Sequence, residues 1–326
     1  MTDLALGGRR AAFEPRRRPW LLAVAVFATL CLASFGLQGN FFQTSVMASN
    51  LATFTPLILV AVGQTYVVLG GDVDLSVGAI VSLANVVAVS TIEALGGTSG
   101  AILAGIAAGA GTGVAAGLLN GVLVGVLRLQ AIVTTFATGI LFAGAALWVM
   151  PEAGGAVPDI YYETYGGRLL GLPVVVWVLL AALLLGAVLA RSLYYRHLLA
   201  VGGDQQSAFQ TGLPVGRIRI ANYALCGLFA GCTALCLVGE TATGDPLLGA
   251  AFTLGSISAV VLGGTALSGG HGGMLGSVFG AINLCLINNV IFFLRPPFEV
   301  QSLLQGLIVL AALAAGVLVA RRRGTE

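Results

Sequence analysis

The sequence contains no lysine, so all 15 of its basic residues are arginines. A P-loop ATPase uses the lysine of its GK[ST] motif to contact the β- and γ-phosphates of the nucleotide. The chain therefore cannot be a P-loop ATPase by itself. Any work driven by ATP would need a second protein that carries the nucleotide site.

Histidine and cysteine are also scarce, which argues against a metal site or a nucleophilic enzyme. The chain has two histidines and neither an HExxH nor a CxxC motif, so the usual zinc-ligand patterns are missing. All five cysteines lie in apolar runs, at Cys31, Cys226, Cys232, Cys236 and Cys285. We interpret them as small buried hydrophobic residues, and we expect this chain to have no catalytic residues, metal or cofactor.

Charge of either sign is rare along the whole chain. Only 9% of the 326 residues are charged and 58% are hydrophobic, with a mean hydropathy of +0.99. Soluble proteins carry about 25% charged residues. The composition therefore predicts an all-α polytopic membrane protein that is surrounded by lipid.

Ten segments are long and apolar enough to cross a bilayer, which takes about 20 such residues. They are residues 20–37, 51–71, 75–92, 102–127, 131–150, 169–190, 220–239, 247–267, 274–294 and 300–320. An even number of crossings places the two ends of the chain on the same side of the membrane.

The arginines predict the orientation of these spans, because cytoplasmic loops are enriched in basic residues. Five arginines precede the first span, four lie in the loop 191–219, and three follow the last span. The loop after the fifth span instead carries Glu152, Asp159 and Glu163. We predict two cytoplasmic basic tails, at 1–19 and 321–326, around a single transmembrane domain at 20–320.

A glycine pair and two aspartates interrupt the apolar run at residues 67–78, which read VVLGGDVDLSVG. Glycine lets the backbone leave helical geometry at low cost, and a carboxylate at membrane depth needs water, a helix N-terminus or a partner. One interpretation is a short turn in which Asp74 caps a helix that starts at Leu75. The other is a broken helix that lines a translocation path. The residues concerned are Gly70, Gly71, Asp72, Asp74, Ser76 and Gly78.

A second glycine-rich interruption, GGTALSGGHGG, occupies residues 263–273. Its lead-in VVLGG at 260–264 repeats the VVLGG at 67–71. Paired interruptions at corresponding positions of two halves point to a transport site in carriers that are built from repeats. The candidate residues here are Gly263, Gly264, Thr265, Ser268, Gly269 and Gly270.

The fourth predicted span has a glycine at every fourth position, namely Gly105, Gly109, Gly113, Gly117, Gly121 and Gly125. Overlapping GxxxG motifs make a smooth helix face that a neighbouring backbone can approach closely. We predict close helix packing along this face, with a hinge as the alternative. Asn120 lies beside it and could form a hydrogen bond across it.

The loop 191–219 is the longest polar segment and contains a short predicted helix at 205–211. Asp204 suits its N-cap and Gly212 its C′ position. The loop is either a simple connector or a docking element for a soluble partner. The exposed Phe209 favours docking, and Ala208 is small enough to let the helix approach a partner closely.

Four segments closely resemble the ribose/xylose/arabinose-type permease subunits of bacterial ABC importers. They are GGDVDLSVG (70–78), AIVTTFATGILFAG (131–144), VGGDQQSAFQTGLPV (201–215) and VVLGGTALSGGHGGMLGSVFGA (260–281). The likeness covers nearly the whole chain in the same order. It implies a multi-pass protein of the bacterial inner membrane that works as one of two permease copies in contact with membrane lipids.

The resemblance also implies two cytoplasmic ATPase subunits, which bind the ATP and Mg²⁺, and a periplasmic sugar-binding protein, with no role for nucleic acid. The segment 201–215 is similar to the family's ATPase-docking helix, whose pattern is matched by Gly203, Asp204, Ala208, Gly212 and Val215. The sequence departs from this pattern at Gln205, Gln206 and Phe209, where the family often has acidic residues and a second alanine.

Two functional hypotheses follow. The first is a permease that passes a monosaccharide by alternating access and is driven by a separate ATPase subunit. The second is an ion-coupled secondary transporter that uses Asp72 and Asp74 as its coupling site.

Overall fold

The computed structural model describes residues 20–297 and, beyond them, residues 300, 301, 303, 304, 306, 307 and 310. The basic tails and most of the tenth predicted span lie outside the described residues.

The described chain folds into helices joined by short connections. In chain order they are α1 (Trp20–Leu37), α2 (Thr44–Leu69), α3 (Val77–Ala94), α4 (Ser99–Gly125), α5 (Ala131–Val149), α6 (Asp159–Gly166), α7 (Val174–Arg191), α8 (Leu193–Gly203), α9 (Gln205–Gln210), α10 (Val215–Thr241), α11 (Ala250–Leu262) and α12 (Met274–Leu294). A two-stranded antiparallel hairpin, β1 (Arg168–Leu169) and β2 (Leu172–Pro173), precedes α7. Apart from this hairpin, the prediction of an all-α polytopic membrane protein is confirmed.

Among the described residues, seven helices are long and apolar enough to cross a membrane: α2, α3, α4, α5, α7, α10 and α12. Two further apolar stretches are shorter, Ala23–Leu37 in α1 and the 13-residue α11. Each of the first nine predicted spans therefore contains a helix. The predicted span 247–267 differs most, because its helix is confined to α11.

Helix α10 lies at the centre of the bundle and packs against α4, α3 and α2. The predicted glycine face of α4 makes these contacts. Gly105 and Gly109 lie against α3, and a methyl group on Gly117 would come within 3.1 Å of the Cα atom of Gly227 on α10. Gly113, Gly121 and Gly125 also face the backbone of α10. The backbone of α10 can approach α4 so closely because α4 presents no side chain at these positions.

The region predicted as the loop 191–219 is mostly helical. It contains α8, α9 and the beginning of α10, which starts at Val215, before the predicted position of 220. The C-terminus of α2 and the N-terminus of α12 lie beside this region, which we call the docking-loop end of the bundle. The N-terminus of α2 and the C-termini of α10 and α12 therefore lie at the opposite end.

Candidate functional site

The two VVLGG segments end their helices with the same backbone motif. In residues 67–71 and in residues 260–264 the second glycine has a positive φ, 84° and 83° respectively. In both copies the residue after that glycine donates its N–H to the carbonyl of the first valine, at 3.1 Å. This is the Schellman arrangement, in which a left-handed residue closes the last helical turn. The sequence repeat is thus also a repeat of local structure.

The two interruptions touch each other directly. The N–H of Gly270 donates to the carbonyl oxygen of Leu69 at 3.0 Å. A methyl group on Gly269 would lie 2.8 Å from the Cα atom of Gly71. Side chains are excluded here because backbone packs against backbone.

The last residues of α8 lie against this contact. A methyl group on Gly202 would come within 2.7 Å of the amide nitrogen of Gly270 and 2.9 Å of the carbonyl carbon of Leu69. A methyl group on Gly270 would lie 2.9 Å from the Cα atom of Gly203. We call this meeting of 69–71, 202–203 and 269–270 the glycine junction. It joins the docking loop to both interruptions.

Asp72 forms a largely buried ion pair with Arg219. The guanidinium donates from Nε to Oδ2 at 2.8 Å and from Nη2 to Oδ1 at 2.7 Å, and its Nη1 donates to the carbonyl of Val124 at 3.1 Å. Only 6% of Asp72 and 13% of Arg219 are exposed. Arg219 lies in the first turns of α10, so this pair ties the far end of the docking loop to the first interruption.

Sequence reasoning missed this partner, because Arg219 was counted only as a loop charge that indicates orientation. The available signal was one carboxylate at predicted membrane depth that required a cation. Four arginines in the loop competed for that role, and the sequence alone does not select among them.

Asp74 is fully buried and organises the start of α3. Its Oδ1 accepts hydrogen bonds from the backbone N–H of Ser76 at 2.8 Å and from the Ser76 hydroxyl at 2.6 Å. Asn120 donates to that hydroxyl at 2.7 Å and accepts from Thr138 at 2.7 Å. The helix begins two residues later than predicted, at Val77, because this polar network holds the preceding residues in a turn.

A third irregular segment, residues 242–249, lies beside the middle of α3. The N–H of Asp245 donates to Oδ1 of Asn85 at 2.7 Å, and the N–H of Gly249 donates to the hydroxyl of Ser82 at 2.9 Å. Non-helical backbone at membrane depth needs such partners. Sequence reasoning missed this segment, and its available signal was Ser82 and Asn85, the two polar residues in the otherwise apolar first half of α3.

Gly78 is the point at which α3 and α11 approach each other. Its N–H donates to the hydroxyl of Thr253 at 3.2 Å, and a methyl group on it would lie 3.2 Å from the carbonyl carbon of Gly249. In the second interruption, Thr265 is buried and accepts the N–H of Gly273 at 3.3 Å. Ser268 is exposed and lies between the two predicted glycine pairs of that segment.

Helix α9 has the predicted caps. Asp204 accepts from the N–H groups of Gln206 and Ser207 at 2.9 and 3.1 Å, so it is the N-cap. Gly212 has a φ of 83° and follows the helix as the C′ residue. The hydrogen bonds from Ser207, together with that from Gln206, hold the pKa of the Asp204 carboxyl below its ordinary value. The cap is therefore charged at neutral pH and supports a well-defined short helix.

The two central residues of α9 face opposite directions. Ala208 is only 5% exposed and belongs to a buried cluster that includes Leu69 and Leu198, so it faces the bundle of its own chain. The expectation that Ala208 itself meets a partner therefore needs correction. Phe209 is 63% exposed, and the guanidinium of Arg128 lies 5.8 Å from the centre of its ring. The free surface of this element is thus the side that carries Phe209.

The fold and the site define the class of protein. The described chain is a bundle of membrane-spanning helices with paired breaks and a structured polar loop, and the whole sequence lacks a P-loop lysine. It belongs to the family described as branched-chain amino acid transport system / permease component, whose model matches residues 46–313. The chain is accordingly a transport subunit, and a multi-pass protein of the bacterial inner (plasma) membrane.

Several curated relatives are similar over most of their length. The ribose import permease protein RbsC of Escherichia coli K12 is 30% identical over 96% of this chain and 98% of its own. RbsC of Bacillus subtilis is 33% identical over 78% and 79% of the two chains, and the L-arabinose ABC transporter permease protein AraH of Azospirillum brasilense is 32% identical over 90% and 84%.

No solved structure gave a significant match. The resemblance to sugar ABC importer permeases is confirmed by these relatives. The ion-coupled alternative has no support among them, and the structure engages Asp72 with Arg219 and Asp74 with Ser76.

Proposed function

We propose that this chain is the permease subunit of an ABC importer that passes a monosaccharide of the ribose or arabinose type into the cell. Its relatives named for ribose and L-arabinose support the choice of a sugar. Its partners are cytoplasmic ATPase subunits, a periplasmic sugar-binding protein, a second permease copy and the surrounding lipid. ATP and Mg²⁺ bind to the ATPase, and this chain binds no cofactor of its own.

The proposal includes ten crossings with both termini in the cytoplasm. The docking-loop end, which carries Arg191, Arg196, Arg217 and Arg219, faces the cytoplasm because basic residues are retained there. Asp159, Glu163 and Glu240 lie toward the opposite, periplasmic end.

One observation supports the mechanism above all others: the docking loop is attached at both ends to the first interruption. Before α9, Gly202 packs against residues 69–71. After α9, Arg219 holds Asp72. A displacement of α9 by a bound ATPase therefore reaches the break between α2 and α3 from two sides, and it reaches the second break through Gly269 and Gly270.

Through this arrangement, contact of the ATPase with α9 moves the membrane helices and so drives alternating access. The packed backbone of the glycine junction resists compression, because close-packed interiors transmit strain. Movement of the loop is thus shared by α2, α3, α11 and α12. Asp72 and Asp74 hold the first interruption in place, and the energy for the movement comes from ATP hydrolysed on the partner.

Phe209 provides the test of docking, because large exposed aromatic residues dominate interface energies. We expect Phe209→Ala to weaken binding of the ATPase by about 2 kcal/mol or more, the usual threshold for a hot spot. Gln206→Ala, one turn earlier on the same short helix, removes a smaller polar side chain and should weaken binding much less. Co-purification of the ATPase subunit with each variant measures this. Recovery of the ATPase with Phe209→Ala at the level of the native chain would mean that α9 is only a connector.

A further inference from the structure

A groove of about 590 Å³ opens between α2, α11 and α12, in the half of the bundle away from the docking loop. At 1.5 Å per helical residue, Asn50 lies about 28 Å along α2 from Leu69, and Asn288 lies about 21 Å along α12 from Met274. The volume is within the usual range of about 300–1,000 Å³ for small-molecule sites. The groove therefore has the size and the position of an intermediate site on the periplasmic side.

The lining combines apolar walls with amides. The apolar residues include Phe54, Leu57, Leu254 and Phe292, and the polar ones are Asn50, Thr53, Asn288 and Asn289. The amide nitrogen of Asn50 is sealed from solvent and has no hydrogen-bond partner among the described residues. On α12, the side chain of Asn283 donates to the backbone carbonyl of Ala23, whereas within the described chain Asn288 and Asn289 make no side-chain hydrogen bond. The groove thus holds unused hydrogen-bonding capacity.

Unpaired amides are costly against lipid, so this face is expected to meet something polar. The residues of α11 that line the groove also indicate that it meets something polar. Ala250 and Ala251 line the groove, and they directly follow the irregular segment 242–249. Irregular backbone at membrane depth occurs where it lines a cavity, and in carriers such breaks mark the path of the substrate.

We infer that this groove holds the monosaccharide in transit, an assignment that rests on the proposed function. Each amide offers both a donor and an acceptor, which matches a hydroxyl that both donates and accepts. The rings of Phe54 and Phe292 supply apolar surface for the C–H face of a sugar. Thr53 donates to the carboxylate of Glu240 at 2.8 Å, which places a further acceptor beside the groove.

The first test asks whether the groove contains water. In a variant with the five native cysteines replaced, Asn288→Cys and Asn289→Cys should react with a membrane-impermeant thiosulfonate added from the periplasmic side. Ile140→Cys is the control, because Ile140 is exposed on the apolar face of α5 together with Val133 and Phe136. We expect it to stay unlabelled. Failure of both groove positions to react would mean that lipid, a second copy or another part of the chain covers the groove, and would overturn the assignment.

The second test asks whether the amides serve transport. Uptake of radiolabelled ribose and L-arabinose at sub-saturating concentration should fall about tenfold in Asn288→Ala/Asn289→Ala, since two hydrogen-bonding groups are lost. Asn288→Ser/Asn289→Ser should recover part of it, and the ATPase should co-purify normally with both. Normal uptake by the alanine variant would refute the groove while leaving the proposed function intact. Absence of ATP-dependent uptake by the native chain would instead count against the proposed function, and the labelling would still decide whether the groove is a water-filled site.

Discussion

Replacing Gly202 by alanine places a methyl group where only backbone atoms surround it. The new carbon would lie 2.7 Å from the nitrogen of Gly270 and 2.9 Å from the carbonyl carbon of Leu69. Because these neighbours are backbone, no side chain can rotate away to relieve the overlap. The end of α8 must therefore shift away from both interruptions.

The adjacent Gly203 gives a matched control. Both glycines belong to α8, where alanine is favoured over glycine by about 0.5–1 kcal/mol, and a methyl group on Gly203 would have no neighbour within 4 Å. Overpacking a close contact costs about 1–3 kcal/mol. We expect Gly202→Ala to be destabilised by that amount relative to Gly203→Ala.

The consequence for transport follows from the position of the contact. If the junction carries the coupling, a loss of 1–3 kcal/mol corresponds to about a 5- to 150-fold loss of ATP-driven uptake. Phe209 is untouched, so the ATPase should still co-purify. The assays are thermal unfolding in detergent, co-purification and sugar uptake in reconstituted vesicles. Identical behaviour of the two alanine variants would refute the role of the junction.

Two further matched pairs test other parts of the site. Asp72→Asn leaves the largely buried guanidinium of Arg219 without its carboxylate and should lower the free energy of unfolding by about 3–5 kcal/mol. Asp74→Asn keeps an oxygen that can accept from Ser76, so its loss of stability should be smaller. Chemical unfolding and the yield of folded protein measure both variants, and an equal or reversed order of stability would contradict the assigned contacts. Gly117→Ala pushes α4 away from α10 and should cost about 1–3 kcal/mol, while Gly111→Ala, which has no neighbour within 4 Å, should be neutral or stabilising by up to about 1 kcal/mol. Equal melting temperatures for these two glycine variants would argue against close packing of the helices.

Local patterns in the sequence predicted the parts of the fold that depend on local rules. The repeated VVLGG predicted two corresponding breaks, and both have the same Schellman ending, because a glycine at the left-handed position closes a helix wherever it occurs. Asp204 and Gly212 likewise predicted both ends of α9. Nine predicted spans contain helices because long apolar runs in lipid must satisfy their backbone hydrogen bonds internally.

Long-range contacts were not predictable in this way. Asp72 and Arg219 are separated by 147 residues, and nothing in the local sequence links them. The glycine junction joins three segments whose glycines, in the sequence alone, are indistinguishable from those that commonly occur in turns and at helix ends. The direction in which Ala208 points depends on how α9 packs against α8 and α10, which is a property of the packed bundle.

The irregular segment 242–249 shows a different limit of sequence reasoning. Hydropathy places residues 247–267 within a continuous span, but α11 covers only Ala250–Leu262. Side chains of α3 satisfy the N–H groups of Asp245 and Gly249. A window of hydropathy cannot anticipate such partners, because they come from a distant part of the chain.

The proposed mechanism rests on energy that reaches this chain from a separate ATPase. Its most direct test is sugar uptake into vesicles that contain the chain with its ATPase and binding-protein partners, with the membrane potential and ion gradients collapsed. We predict that uptake continues when ATP is supplied on the ATPase side and stops when the ATPase subunit is omitted. Uptake by the chain alone that follows an imposed ion gradient and ignores ATP would contradict the account.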